Sequence, residues 1–118
     1  MTSINIKESY RDALDRYHND NSPAVIYDDG TKVWVQHGLI HREDGPAVMW
    51  ADGSEAWYQY DMRHRVDGPA YIDTCDGTVE WCIAGDLIDS RSEYQKRTKM
   101  SDEDLLVLIL KYGGLQCS

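Results

Sequence analysis

The chain has no phenylalanine, only three prolines and only three cysteines in 118 residues. Aromatic surface is therefore carried by four tryptophans and eight tyrosines. These side chains suit half-exposed sheets and binding surfaces, because each joins an apolar body to a polar edge. Cys75, Cys82 and Cys117 form no Cys-x-x-Cys pair and are odd in number. That argues against a disulfide framework and against a zinc site, and it suits a reducing compartment. The longest apolar run, Leu105 to Leu110, is six residues, whereas a membrane span needs about 20. Met1 to Arg11 contains no apolar core of a secretory leader. A cytoplasmic protein that does not enter the membrane is expected.

Bases are scarce where acids are dense. Residues 21–90 hold four bases (Lys32, Arg42, Arg63, Arg65) against 13 acids, a net charge of −9. Residues 1–20 carry −1 and residues 91–118 carry +1. Direct binding of nucleic acid by the central region is disfavoured, and a protein partner with a basic surface is favoured. An acidic surface also simply keeps a sheet in solution.

The central region is a repeat. His41-Arg42-Glu43-Asp44-Gly45-Pro46-Ala47 returns as His64-Arg65-Val66-Asp67-Gly68-Pro69-Ala70, 23 residues later, and a worn copy, Asn21-Ser22-Pro23-Ala24, precedes both. Each Pro-Ala opens an apolar run. An Asp-Gly turn follows (Asp29-Gly30, Asp52-Gly53, Asp76-Gly77), then a second run ending in Trp34, Trp57 or Trp81. Asp-Gly tolerates the positive φ of a tight hairpin turn. A second turn position follows at Gly38, Asp61 and Gly85. Two turns per unit predict an antiparallel meander of about six strands over residues 21–90. Alternation places Ala24/Ile26, Ala47/Met49 and Ala70/Ile72 on one face. Val25/Tyr27, Val48/Trp50 and Tyr71/Asp73 fall on the other, and the three tryptophans fall in a row.

Helices are expected at both ends, giving an α+β fold in one domain. Ile6, Tyr10, Leu14 and Tyr17 recur at three- and four-residue steps, predicting an amphipathic helix within residues 1–20. In the 91–118 cap, Ser90 and Glu93 mark one helix start, and Ser101 with Asp102, Glu103 and Asp104 marks another. Gly113-Gly114 supplies a left-handed stop and Leu115 folds back on the last turn. The apolar run 105–110 predicts a largely buried final helix.

The 23-residue unit, with Asp-Gly-Thr/Ser, Trp, a glycine and His-Arg-x-Asp-Gly-Pro-Ala, resembles the variant MORN repeats over residues 21–90. These occur in small bacterial and phage proteins, some described as antitoxin components. The resemblance implies a MORN-like meander of about three hairpin repeats. It also implies a scaffold that binds proteins or, in some cases, lipid, and it suits a phage accessory protein.

His, Asp and Arg together suggest an active site, but their recurrence argues otherwise. Equivalent residues two strands apart lie roughly 9.6 Å from one another, too far to share a zinc ion at ligand distances of about 2 Å. Asp44 and Asp67 are expected to bond their own turn backbone, Gly45 and Gly68 to supply permissive φ, and the His-Arg pairs to brace the loop or lie against Trp rings. No catalytic residue, metal or cofactor is therefore assigned. The leading expectation is a non-catalytic protein-binding module, such as a phage- or mobile-element-encoded inhibitor of a host defence protein. Its acidic sheet would present Asp28, Asp29, Asp52, Glu55, Asp61, Asp76 and Glu80 with Trp50, Tyr58 and Tyr60. DNA mimicry is one mode open to such a surface. The alternatives are an antitoxin neutralising a toxin, a nucleotide or small-molecule binder using His41, Arg42, His64 and Arg65, and self-association into a homodimer through an open sheet edge.

Overall fold

Three of the Asp-Gly pairs, Asp29-Gly30, Asp52-Gly53 and Asp76-Gly77, each close a hairpin. Gly30, Gly53 and Gly77 sit at φ of 97°, 92° and 78°, a region that a side chain disfavours. The computed structural model describes residues 5–115. The three hairpins join β2 (Val25–Tyr27) to β3 (Lys32–Val33), β6 (Val48–Met49) to β7 (Glu55–Ala56), and β10 (Tyr71–Ile72) to β11 (Val79–Ile83). With β1 (Ile6–Ser9) at one end and β12 (Asp86–Ile88) at the other, they form an eight-stranded antiparallel sheet in the order β1-β2-β3-β6-β7-β10-β11-β12.

Between the main hairpins lie two smaller ones. β4 (Val35–Gln36) pairs with β5 (Leu39–Ile40), and β8 (Tyr58–Gln59) pairs with β9 (Met62–Arg63). Their turns, His37-Gly38 and Tyr60-Asp61, place both residues at positive φ, the geometry that matches strand twist in two-residue loops. Ala84-Gly85 does the same between β11 and β12. The meander is thus more finely divided than six strands, because the first two units break at Trp34 and Trp57 into a main-sheet hairpin and a side hairpin, whereas in the third β11 runs on through Trp81 to pair with β12.

Backbone hydrogen bonds recur in step. The N–H groups of Ala24, Ala47 and Ala70 donate to the carbonyls of Val33, Ala56 and Glu80 at 2.9, 2.8 and 2.8 Å. Those of Tyr10, Trp34 and Trp57 donate to Ala24, Ala47 and Ala70 at 2.8, 2.7 and 2.6 Å. Tyr10 therefore stands where the later units place tryptophan.

The expected N-terminal helix is absent among the described residues. Residues 6–9 form β1, paired with β2, and Arg11 bridges to Tyr17 across a turn at Asp15, φ 63°. The segment follows the strand-and-side-hairpin plan of the later units. Asp12 replaces helical hydrogen bonds by accepting from the backbone N–H groups of Leu14 and Arg16 and bonding His37 Nδ1 at 2.7 Å. The His37 hydrogen bond, then that from the Arg16 backbone, hold its carboxyl well below the usual carboxylate range.

The C-terminal cap contains α1 (Arg91–Thr98) and α2 (Asp102–Tyr112). Ser90 and Ser101 accept from the N–H groups of Glu93 and Asp104, and Gly113 ends α2 at φ 72°. The helices cover only the last strands. Trp81, Ile83, Ile88, Tyr94, Leu105 and Leu115 form one buried cluster, and the Trp81 indole donates to the Gly113 carbonyl at 2.9 Å. A smaller cluster of Ala24, Val25 and Val35 lies at the other end. The final helix is not largely buried: Leu105 is, but Leu106, Val107 and Leu110 are 51, 62 and 79% exposed. A helix resting on the edge of a thin sheet meets protein on one side only. No helix among the described residues is long and apolar enough to cross a membrane.

Candidate functional site

The His-Arg motif builds braces. Arg42 lies over the Trp34 ring at 4.0 Å, donates from Nε to Asp44 at 3.1 Å and from Nη1 to the Pro46 carbonyl at 3.0 Å. Arg65 repeats this over Trp57 at 3.9 Å, with Asp67 at 2.8 Å and the Pro69 carbonyl at 3.1 Å. Asp44 and Asp67 thus hold arginines, and the expectation that they bond their own turns is corrected. Gly68 stands at φ 156°, but Gly45 is not at positive φ, so the permissive φ expected of it is corrected, and what the two share is a close neighbour. A Cβ at Gly45 or Gly68 would lie 2.8 Å from the guanidinium carbon of Arg42 or Arg65, so a side chain there would push the arginine out of its bracing position.

The histidines act on the neighbouring side turn. His41 Nδ1 accepts the Tyr60 N–H at 3.1 Å and His64 Nδ1 accepts the Ala84 N–H at 2.9 Å. His18, 23 residues before His41, accepts the His37 N–H at 3.0 Å. An accepting Nδ1 leaves the ring proton on Nε2. Burial, then the Arg97 charge, push the His64 pKa down. A polar cleft of about 250 Å³ beside Arg42 is lined by Asn19, Gln36, His41, Glu43 and Tyr60. The corresponding cleft at Arg65 holds about 100 Å³, and Arg65 Nη2 reaches the Tyr112 hydroxyl at 3.4 Å.

A larger recess, about 470 Å³, lies on the main sheet. Pairing places Val25, Val33, Val48, Ala56, Tyr71 and Glu80 in one cross-strand row, hence on one face. Val33 and Val48 floor the recess, Tyr27, Trp50 and Tyr58 wall it, Ile40 reaches in from β5, Thr31 is buried beside it, and exposed Asp29 stands at its rim. Trp50 is 37% exposed, an open indole at the centre of the groove. Its far edge meets Tyr71 at 6.0 Å in a T-shaped contact.

Of the residues expected to bind a partner, the structure brings Asp29, Trp50 and Tyr58 together here. Asp29, Asp52 and Asp76 each accept the N–H two residues on, at 2.8, 2.8 and 2.9 Å, so one oxygen of each serves its own turn. The Ser54 N–H, then the Cys75 thiol, lower the Asp52 pKa, and the Thr78 N–H lowers that of Asp76. Asp28 accepts the Asn5 N–H and Asp61 accepts the Ile40 N–H. Glu55 pairs with Met49 and Ile72 on the opposite face. Tyr60 packs on the His41 ring at 4.3 Å. Glu80 lies one unit beyond the recess and binds Arg63. Sequence reasoning left out Tyr27, Thr31, Val33, Ile40 and Val48 of the recess, and Arg63 beside it. Alternation had already put Tyr27 and Val48 on the face of Trp50. Ile40 and Arg63 enter from side hairpins, which alternation along one strand does not reveal.

Comparison with protein-family models, curated proteins and solved structures finds no match for the chain.

Proposed function

We propose that the protein is a non-catalytic protein-binding module whose working surface is the aromatic groove between Tyr27, Trp50 and Tyr58. The observation that carries this reading is the half-open indole of Trp50 above an apolar floor with Asp29 at the rim. Buried aromatic anchors supply most of the energy of protein interfaces, and a carboxylate at the rim selects a basic partner and speeds its approach. The repeat architecture supports the same reading, since the His-Arg loops are spent on bracing and the sheet face is left to meet a partner. The resemblance to variant MORN repeats points the same way. The turn carboxylates, each tied to a backbone N–H, support direct groove contact better than mimicry of a phosphate row.

Replacing Trp50 with a photo-crosslinking aromatic residue in the native cell tests this. A protein adduct is expected at position 50, and a much weaker one from the same residue at Lys96 on α1. Equal adducts at both positions, or none at position 50, contradict it.

A further inference from the structure

One unit beyond Trp50 lies a second cell with the same backbone register, and that cell is filled. Ile40 pairs with Val35 in the first side hairpin and Arg63 pairs with Tyr58 in the second. Ile40 and Arg63 are therefore equivalent positions. The floors correspond too, Val33–Val48 in the first cell and Ala56–Tyr71 in the second. In the second cell the Arg63 guanidinium lies 4.5 Å from the centre of the Tyr71 ring and binds Glu80 through Nη1 and the Tyr58 hydroxyl through Nε. The chain thus shows that this face holds a planar cation against an aromatic ring with a carboxylate as counter-ion; the positions of Tyr71, Glu80 and Tyr58 are taken in the first cell by Val48, Ala56 and Val35, so its rings and its carboxylate, Asp29, come from other positions. In the first cell the shorter, uncharged Ile40 leaves the recess of about 470 Å³. Its three aromatic walls remain. Asp29 gives one oxygen to the Thr31 N–H and keeps the other for a cation.

Resting on the protein-binding reading above, we propose that the first cell receives an arginine side chain of the partner, stacked among Tyr27, Trp50 and Tyr58 and paired with Asp29, in the place that the Ile40 side chain leaves open. The net charge of −9 over residues 21–90 draws a basic segment to this face. Arginine suits the slot better than lysine because its flat, weakly hydrated guanidinium stacks on rings and bonds a carboxylate at the same time.

Three peptides test the proposal on the full chain: acetyl-Gly-Arg-Gly-amide, its lysine counterpart and its citrulline counterpart, which keeps the shape and loses the charge. Two-dimensional NMR should show the arginine peptide moving the Trp50 indole signal and the Ile40 and Val48 amides. Lysine should act more weakly and citrulline should have no effect. Ile40→Arg supplies the cation from within and should abolish the response. Asp29→Asn keeps the turn acceptor and should weaken binding about fivefold. Equal responses to arginine and citrulline overturn the proposal, as does a response that survives in folded Ile40→Arg or is unchanged in Asp29→Asn. Crosslinking from position 50 separates the two claims. A partner captured equally well by the Ile40→Arg chain removes the arginine anchor and leaves the protein-binding reading intact. No capture even with Ile40 in place removes both.

Discussion

Two neighbouring cells of one groove differ in what enters from the side hairpin. In the first, Ile40 stops short and the Tyr27, Trp50 and Tyr58 rings stand around an open recess. In the second, Arg63 reaches across Tyr71 to Glu80. The backbone framework is shared, with the Trp34 and Trp57 N–H groups donating to Ala47 and Ala70 at 2.7 and 2.6 Å. A repeat scaffold thus separates two tasks that a less regular fold mixes. Register and bracing are set by residues that recur, and the surface is set by residues that do not. A functional site in such a chain is found where the pattern breaks.

Both cells lie in one sheet whose larger buried cluster is at the C-terminal cap, and the largest expected effect tests whether that sheet unfolds as one unit. Trp81 is 1% exposed, edge-on to Tyr94 at 4.9 Å. Tyr94 in turn donates to the Arg65 carbonyl at 2.7 Å, tying α1 to the second His-Arg loop, and burial pushes its pKa up to about 12. Trp81→Ala should cost about 3–5 kcal/mol, read as an earlier single transition in denaturant. A transition that splits, with part of the sheet melting at its original midpoint, would show that the cells are stabilised separately.

A smaller effect distinguishes the cells from each other. Glu80→Ala removes the counter-ion of Arg63, whose side chain is one-third exposed. The expected cost is about 1 kcal/mol, against almost nothing for Asp29→Asn, whose carboxylate has no internal cation. Equal costs in urea titrations would mean that the first cell already holds a charge pair.

The smallest effect is a pH dependence in the brace. The His64 pKa is lowered in the folded chain by burial and by Arg97, so the unfolded chain binds the proton more readily. Stability is therefore full above the unfolded value, about 6.5, and falls as pH drops through the lower folded value. Protonation also puts a hydrogen on Nδ1, which accepts the Ala84 N–H. The difference in melting temperature between the natural chain and His64→Gln should shrink from pH 8 to pH 5. A constant difference would show that the ring acts by packing alone.

Much of the scaffold was legible because its signals are local and repeated. Asp-Gly turns, Ser90 and Ser101 caps and the Gly113 stop each depend on a few adjacent residues. The N-terminal segment misled because Ile6, Tyr10, Leu14 and Tyr17 satisfy a helical period while serving a strand and a side turn. Register decides between the two: His18 precedes His41 by 23 residues and Asp15 precedes Gly38 by 23. Gly45 and Gly68 were readable as turn glycines, but their purpose, room for a guanidinium, depends on an arginine folding back over them. Of the candidate groove, Asp29, Trp50 and Tyr58 were legible. It stayed hidden at Ile40 and Arg63, whose importance lies in occupying one position in successive units.

The most direct test exchanges the two residues that distinguish the cells. Ile40→Arg combined with Arg63→Ile closes the first cell and opens the second, where Tyr71 and Glu80 wait without a cation. Titration with acetyl-Gly-Arg-Gly-amide should then move the amides of Tyr71 and Glu80 and leave those of Tyr27 and Val33 unmoved. If the response stays at Tyr27 and Val33, or vanishes while the spectrum remains that of a folded chain, the lack of a side-hairpin cation is not what opens a cell to an arginine.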